Sequence, residues 1–308
     1  MISKQILSIL VKVAFLGLLI YFCLHFFIPL WQSLQVTNRL GSLSASWTLA
    51  AALFTLGYYG LGLLIWTIVL RNLGSQPDVY MTTRAYVLSL LAKYVPGSLA
   101  AHGVRTQLAM RAGVPILVLM KSFLFEAVFA LGTAAAIAIP GTIYFAPALI
   151  DRRSSLVVAL AVFILVTIVA ATRLKLASIH KSHLTSLASG MGYVNVGFLY
   201  LLVWLVSAAA HWCLANALND CSISHFPLLL VAVSASWAIG FVSVFAPAGL
   251  GVREAVLYFF LNSWMDQGDV ILFVTLSRVL MFGVEVLLSA GFLLYSKVAR
   301  QAETAMTY

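Results

Sequence analysis

Long apolar runs separated by short polar segments dominate this sequence. A helix needs about 20 predominantly apolar residues to cross the hydrocarbon core of a bilayer, and several runs reach that length. They predict six spanning helices, at about 10–31, 47–70, 114–139, 155–172, 194–218 and 270–296. The run at 155–172 is at the short limit. The pattern predicts an all-α polytopic membrane protein in which 1–308 forms a single integral membrane domain.

Two further apolar stretches end at proline and glycine. The stretch 85–95 is too short to cross a bilayer, and 226–245 is followed by a second short apolar run. Lipid tolerates a broken helix only where protein or a water-filled cavity covers the break. We therefore predict two re-entrant helical hairpins, 79–112 and 226–263, although 226–245 is also long enough to span. The predicted helix-break residues are Pro96, Gly97, Pro247, Gly249 and Gly251.

The two halves of the chain follow the same order of elements. A span, a hairpin and a span occur in 47–139, and the same order returns in 194–296, with 140–193 as the linker. Inverted repeats with broken helices that meet near the midplane are a signature of transporters. The order of elements therefore predicts an inverted repeat.

Basic residues test the orientation of this topology. With the N-terminus inside, most basic residues between the spans fall on the cytoplasmic side, while Arg39, Arg152 and Arg153 fall outside. This bias predicts a protein of the cell inner membrane with both termini in the cytoplasm. It also requires each hairpin to return to the side from which it enters, and the two hairpins to enter from opposite sides.

Composition narrows the class of protein. Hydrophobic residues make up 63% of the 308 residues and charged residues 9%, against roughly 25% charged residues in soluble domains. Such a chain cannot cover itself with a soluble surface, so soluble enzymes and nucleic-acid-binding proteins are excluded. The net charge of +9 comes largely from short loops, which favours an orientation signal and contact with anionic headgroups.

Two arginines follow the helix breaks and are candidates for binding phosphate. Free N–H groups and the positive end of the dipole at a helix start attract anions, and a guanidinium can bind phosphate through two hydrogen bonds. For Arg105, snorkelling or internal pairing explains the residue equally well, whereas for Arg253 we favour binding, over pairing with Glu126 or Glu285. His102 lies between the first break and Arg105 and would bind phosphate when protonated. Lys93, just before the first break, is the fourth candidate.

Charged side chains inside the apolar segments form a second set of candidates. A carboxylate in a spanning helix costs about 2.5–3.5 kcal/mol on insertion scales and normally faces the bundle interior. Glu126 and Glu285 are therefore either proton carriers or salt-bridge partners, Glu126 with Lys121 and Glu285 with Arg278. Glu254 adjoins Arg253 on a short helix, where neighbours point apart, so we expect its partner on another element.

Two motifs resemble those of the lysylphosphatidylglycerol synthase/flippase transmembrane-domain family. The first is KYVPG at 93–97 together with Arg105, and the more specific second is PAGLGVREA at 247–255. Ala248 departs from the glycine expected in many members. The resemblance implies translocation of lipids. It does not imply lysine transfer, because the chain ends at Tyr308 without the soluble aminoacyl-transferase domain of the bifunctional relatives.

These observations together predict a flippase-like transporter that moves an anionic or phosphate-bearing lipid, or a lipid-linked intermediate, between leaflets. We find no catalytic constellation, no ATP-binding motif, and no sign of a cofactor or metal. His180 and His183 lie in a basic connector, where a solvated face explains them better than a metal site. The alternatives are a transporter of small anions and a non-catalytic membrane partner that recruits a lipid- or glycan-modifying enzyme. The basic segment 173–190 supports the last alternative. The sequence is also compatible with a homo-oligomer.

Overall fold

A computed structural model describes residues 43–94, 100–145, 188–243, 249 and 251–306. Within these ranges the chain forms helices and short turns, with no strand. The helices in chain order are α1 Ala45–Asn72, α2 Val79–Ala92, α3 Ala100–Arg111, α4 Ile116–Phe145, α5 Ala188–Leu218, α6 Phe226–Val242, α7 Val252–Leu261 and α8 Gln267–Met306. A 3₁₀ turn, Ile223–His225, leads into α6.

Five helical segments are long and apolar enough to cross a membrane. They are α1, α4, Asn195–Leu218 within α5, Ile223–Val242 and Gln267–Ala299 within α8. Four of them coincide with predicted spans, which confirms the prediction of an all-helical protein embedded in a membrane. The predicted spans 10–31 and 155–172 lie outside the described residues. The fifth segment, Ile223–Val242, includes most of the first arm of the second predicted hairpin.

The remaining helices, α2, α3 and α7, are short. The 14 residues of α2 give a helix about 21 Å long, less than the roughly 30 Å of a hydrocarbon core. Asp78 starts α2, since one carboxylate oxygen accepts a hydrogen bond from the Met81 N–H at 2.9 Å. This cap satisfies one of the backbone donors that a helix start leaves free. The cap fixes where the short helix begins.

The helices α1 and α5 form the most extensive helix contact and run antiparallel. The Ser44 N–H, at the start of α1, donates a hydrogen bond to the Ala217 carbonyl near the end of α5 at 3.0 Å. Ile65, in the second half of α1, packs in one apolar cluster with Val196, near the start of α5. The same helix order in 47–139 and 194–296 makes α1 and α5 the corresponding first helices of the two halves.

The other helix contacts come in matching pairs. In the first half α2 packs on α3 and α3 on α4, and in the second half α6 packs on α7 and α7 on α8. Between the halves, α4 packs on α6 and α5, while α8 packs on α2 and α1. Exchanging the two halves leaves this list of contacts unchanged. Two repeats related by a twofold axis would produce the same pattern.

Large apolar side chains cover the outer faces of the helices. Leu117 on α4, Phe198 on α5 and Leu287 on α8 are all more than half exposed. A soluble protein rarely leaves so much apolar surface in water, whereas lipid solvates it without cost. The charged side chains within the helices therefore have to meet one another inside the bundle.

Candidate functional site

Glu285 joins three elements inside the bundle. Its side chain is fully buried, at 0% exposure, and its Oε1 accepts hydrogen bonds from the Tyr59 hydroxyl on α1 and from the Lys93 ammonium just after α2. Glu285 lies near the middle of the apolar part of α8, and Tyr59 near the middle of α1. The predicted salt bridge of Glu285 with Arg278 is wrong. Lys93, which is distant in sequence, pairs with Glu285, and Arg278 pairs with Glu254.

Lys93 lies among aromatic rings as well as beside a carboxylate. Its ammonium nitrogen is 5.7 Å from the centroid of the Tyr59 ring and 5.2 Å from that of the Tyr94 ring. An ammonium near the face of an aromatic ring is attracted by the ring quadrupole. The prediction that Lys93 binds phosphate is untested, but in this structure its charge is engaged by Glu285.

Arg105 is neutralised by Glu126. Its Nη1 donates to both carboxylate oxygens of Glu126, at 2.9 and 3.2 Å, and its Cζ lies 4.8 Å from the ring centroids of both Trp66 and Tyr86. Internal pairing, one of the two interpretations of Arg105, is thus what the structure shows. The predicted partner of Glu126, Lys121, is wrong, because α3 brings a guanidinium to the carboxylate. Lys121 forms no ion pair within the described ranges.

Glu254 has its partner on another element, as the sequence predicted. Its Oε1 accepts a hydrogen bond from the Nε of Arg278, so the pair connects α7 with α8. Both side chains are 18% exposed, and Glu254 Oε2 and Arg278 Nη2 are buried without a hydrogen-bond partner. The pair therefore holds α7 against α8 without satisfying every polar atom.

Arg253 is the fourth cation of this group, and it differs from the other three in its contacts. It lies in the first turn of α7, and among the described residues it forms no ion pair, while its buried Nε has no hydrogen-bond partner. The alternative pairings with Glu126 and Glu285 are wrong, because Arg105 and Lys93 occupy those carboxylates.

Two glycines and one tryptophan surround the Arg253 side chain. The centre of its guanidinium lies 5.8 Å from the Trp237 ring. A Cβ atom on Gly240 would lie 2.7 Å from Arg253 Nε, and one on Gly249 would lie 2.8 Å from it. Gly249 also has φ of +70°, a conformation that favours glycine. Gly251, with φ of +83°, directly precedes α7. The helix-break residues Pro96, Gly97 and Pro247 lie outside the described residues.

His102 is packed against an aromatic ring. Its ring centroid is 4.7 Å from that of Phe123, and its Nδ1 is buried without a hydrogen-bond partner. Burial, reinforced by the Arg105 charge, lowers the pKa of His102 to about 4. The imidazole is therefore neutral near pH 7, which weighs against phosphate binding by a protonated His102.

Sequence reasoning missed Tyr59. Its hydroxyl donates to Glu285 from the middle of the first described span. A hydroxyl inside an apolar helix needs a partner because lipid offers none, so Tyr58-Tyr59 in the centre of 47–70 was the available signal. Within the part of the chain that the structure describes, Lys93, Arg105 and Arg278 each pair with a glutamate, and Arg253 forms no ion pair.

No family model matches this chain, and no curated protein matches it. The resemblance to the flippase family thus rests on the motifs at 93–97 and 247–255, and family membership stays a prediction.

Proposed function

We propose that the protein moves an anionic or phosphate-bearing lipid, or a lipid-linked intermediate, between the leaflets of a membrane, and that Arg253 binds the headgroup. The observation that supports this most directly is the Arg253 side chain itself, a cation inside an apolar helical bundle that forms no ion pair with any described carboxylate. A charge in such a position costs about 2.5–3.5 kcal/mol on insertion scales. A phosphate that accepts hydrogen bonds from the guanidinium would offset that cost.

The position of Lys93 and Arg253 within the membrane supports a site that both leaflets can reach. Lys93 follows the last residue of α2, yet it reaches Glu285 near the middle of α8. Arg253, at the start of α7, has its guanidinium centre 5.8 Å from the Trp237 ring. Trp237 packs against Trp204, near the middle of the apolar part of α5. Both contacts favour positions of Lys93 and Arg253 near the middle of the membrane, and with them two re-entrant hairpins.

The relation between the halves supports alternating access. The corresponding helices α1 and α5 are antiparallel, and the remaining helix contacts are unchanged when the halves are exchanged. In transporters built from inverted repeats, the site lies between the repeats and one repeat moves against the other. Arg253 would then face each leaflet in turn. In this proposal the movement is passive or coupled to an ion, since the sequence carries no ATP-binding motif.

Liposomes that contain the full chain and fluorescently labelled lipids test the proposal. Labelled phosphatidylglycerol in the inner leaflet should become accessible to a membrane-impermeant quencher, while labelled phosphatidylcholine should move more slowly. Arg253→Ala should abolish most of this movement, and Arg253→Lys should retain part of it, because lysine keeps the charge and loses the planar fork. Arg71→Ala, at an exposed arginine near the end of α1, is the matched control.

The same liposomes separate the proposal from its alternatives. Flux of inorganic phosphate or chloride without movement of any labelled lipid would favour a transporter of small anions. A correctly folded Arg253→Ala protein that moves lipid at the wild-type rate would show that Arg253 has no part in headgroup binding. If neither lipid nor anion moves under any condition, the protein is better explained as a non-transporting membrane partner.

A further inference from the structure

We infer that the Lys93–Glu285 pair is a proton-binding site, and that a proton bound at Glu285 couples the movement of lipid to the movement of protons. The Glu285 carboxylate holds the proton, and Lys93 is its partner when the proton is absent. This inference rests on the proposed function, because it identifies the ion to which the same transport is coupled. It assigns to Lys93 a role different from the direct phosphate binding that the sequence suggested.

Only one of the ion pairs formed by Glu126, Glu254 and Glu285 joins the two halves of the chain. The other two pairs lie within one half each, Arg105 with Glu126 in 47–139 and Glu254 with Arg278 in 194–296. Lys93 belongs to the first half and Glu285 to the second, and Tyr59, of the first half, donates to the same carboxylate oxygen. In alternating access one half moves against the other. The contact at Glu285 therefore has to change during the cycle, whereas pairs within a half can persist.

The Lys93–Glu285 pair also differs from the other two in its chemistry. A guanidinium stays protonated in proteins and presents a planar fork of donors. Arg105 uses that geometry to donate to both carboxylate oxygens of Glu126. The ammonium of Lys93 and the hydroxyl of Tyr59 both donate to Oε1 of Glu285 instead. Glu285 is thus held at one oxygen, by a cation on a flexible side chain.

The other oxygen, Glu285 Oε2, is the atom at which the proton binds. It is buried without a hydrogen-bond partner among the described residues, in a side chain at 0% exposure. A buried carboxylate without a cation costs far more than the neutral acid, so the acid is the stable form once Lys93 moves away. A proton from water on one side of the membrane adds to Oε2. On the other side it returns to water, and the carboxylate pairs with Lys93 again.

The charged and titratable groups around the pair keep their protons near neutral pH. Those that interact electrostatically with Glu285 or Lys93 are Tyr58 and Tyr59 on α1, Tyr86 on α2, Tyr94 after α2, Arg253 on α7 and Arg278 on α8. Phenols ionise at about pH 10 and guanidiniums above about pH 12. On α5, the ring of His211 lies beside Phe273, about three turns of α8 from Glu285. His211 is therefore the competing proton site that the experiment has to exclude.

Liposomes that contain the full chain and fluorescently labelled phosphatidylglycerol measure the coupling. The membrane potential is held at zero with valinomycin and equal potassium on both sides, and a difference of one pH unit is imposed near neutral pH. A membrane-impermeant quencher then reports the steady-state ratio of label in the two leaflets. If one proton moves with each lipid, or in exchange for it, this ratio should shift by about tenfold. Movement without coupling gives a ratio that does not respond to the pH difference.

Variants locate the proton. Glu285→Gln cannot exchange a proton at this position, and the double variant Lys93→Met with Glu285→Gln also removes the cation that the first variant strands. Both should move lipid without any shift in the ratio. Arg105→Gln with Glu126→Gln, which removes an ion pair within one half, is the matched control and should keep the shift. His211→Gln should keep it as well.

Two results overturn the inference: a shift that persists in folded Glu285→Gln, and a shift that His211→Gln removes. If both Glu285 variants fold but move no lipid, calorimetry in two buffers of different ionisation enthalpy decides. It counts the protons exchanged when the purified chain binds short-chain phosphatidylglycerol. Proton exchange should occur in the wild type and be absent in the Glu285 variants. Equal proton exchange in both, or none in the wild type, means that Glu285 is not the site.

The wild-type protein distinguishes this inference from the proposed function. If it moves no labelled lipid, the proposed function fails, and proton coupling fails with it. If it moves lipid at a ratio that ignores the pH difference, the proposed function stands and proton coupling is wrong. A tenfold shift that Glu285→Gln removes supports both.

Discussion

Arg105 and Arg253 show that residue type alone does not determine a role inside this bundle. Both guanidiniums follow a helix break and both lie against tryptophan rings. Arg105 donates to both oxygens of the Glu126 carboxylate, so its charge is neutralised within the fold. Arg253 instead lies beside Gly240 and Gly249 and forms no ion pair with a described carboxylate. The sequence identified both arginines, and the distinction between them came from their neighbours in space.

Gly240 tests how much room the Arg253 side chain needs. Alanine is intrinsically better than glycine in a helix by roughly 0.8–1 kcal/mol, but its Cβ would meet the Arg253 side chain. The closest atom would be Arg253 Cγ, which lies near the backbone, so Gly240→Ala should displace the whole side chain, lower the melting temperature and reduce lipid binding. Gly283→Ala, on α8 with nothing near its Cβ, should change neither. Normal lipid binding by a stable Gly240→Ala would mean that the position of the guanidinium does not matter.

His102 should contribute to acid sensitivity rather than to transport. Its pKa falls from 6.5 to about 4 on folding, so the unfolded chain takes up the proton first and stability decreases as pH falls through this interval. At pH 5 the loss is at most about 2 kcal/mol, reduced by the solvent exposure of the ring. His102→Gln should therefore melt with less dependence on pH between 7 and 5. If the transport rate instead changes with pH around 6.5, and His102→Gln removes that change, this assignment is wrong.

The ion pairs act between elements, which explains why sequence reasoning misplaced them. The sequence predicted partners that are close along the chain, Lys121 for Glu126 and Arg278 for Glu285. The structure joins residues 21, 24 and 192 positions apart. Hydropathy predicted four of the spans, because the preference of a helix for the lipid bilayer depends on its amino-acid composition. A single sequence is enough to give that composition. The partner of a charge depends on how helices pack, and nothing in the local sequence specifies that.

The pair of Arg105 and Glu126 should contribute more to stability than to transport. Removing one member of a buried ion pair leaves an uncompensated charge and costs about 3–5 kcal/mol, so Glu126→Gln should lower the free energy of unfolding strongly. Arg105→Gln combined with Glu126→Gln should cost less than Glu126→Gln alone, because no charge is stranded. A double-mutant cycle in detergent measures this coupling. Normal stability with an altered pH dependence of transport would instead identify Glu126 as a proton carrier.

At the scale of the whole molecule, the most important feature is that the two halves have corresponding helices and corresponding helix contacts. The order of elements suggested an inverted repeat, and the antiparallel α1 and α5 with their matched contacts agree with it. Hydropathy alone leaves Ile223–Val242 ambiguous, since its 20 residues suffice to cross a bilayer. Arg253 lies beside Trp237, which packs against Trp204 near the middle of the apolar part of α5, and this position favours a re-entrant hairpin. Whether α6 spans decides which side of the membrane each half faces.

Cysteine labelling from the two sides of the membrane tests this topology. After replacement of the three native cysteines, single cysteines at the exposed positions Gln76, Arg111, Ser224 and Ser263 mark the ends of both helix pairs. Two re-entrant hairpins place positions 76 and 111 on one side and positions 224 and 263 on the other, so a membrane-impermeant maleimide should label each pair together and from opposite sides. If α6 spans instead, positions 224 and 263 will be labelled from different sides. That result would remove the inverted architecture and, with it, the alternating exposure of Arg253 to the two leaflets.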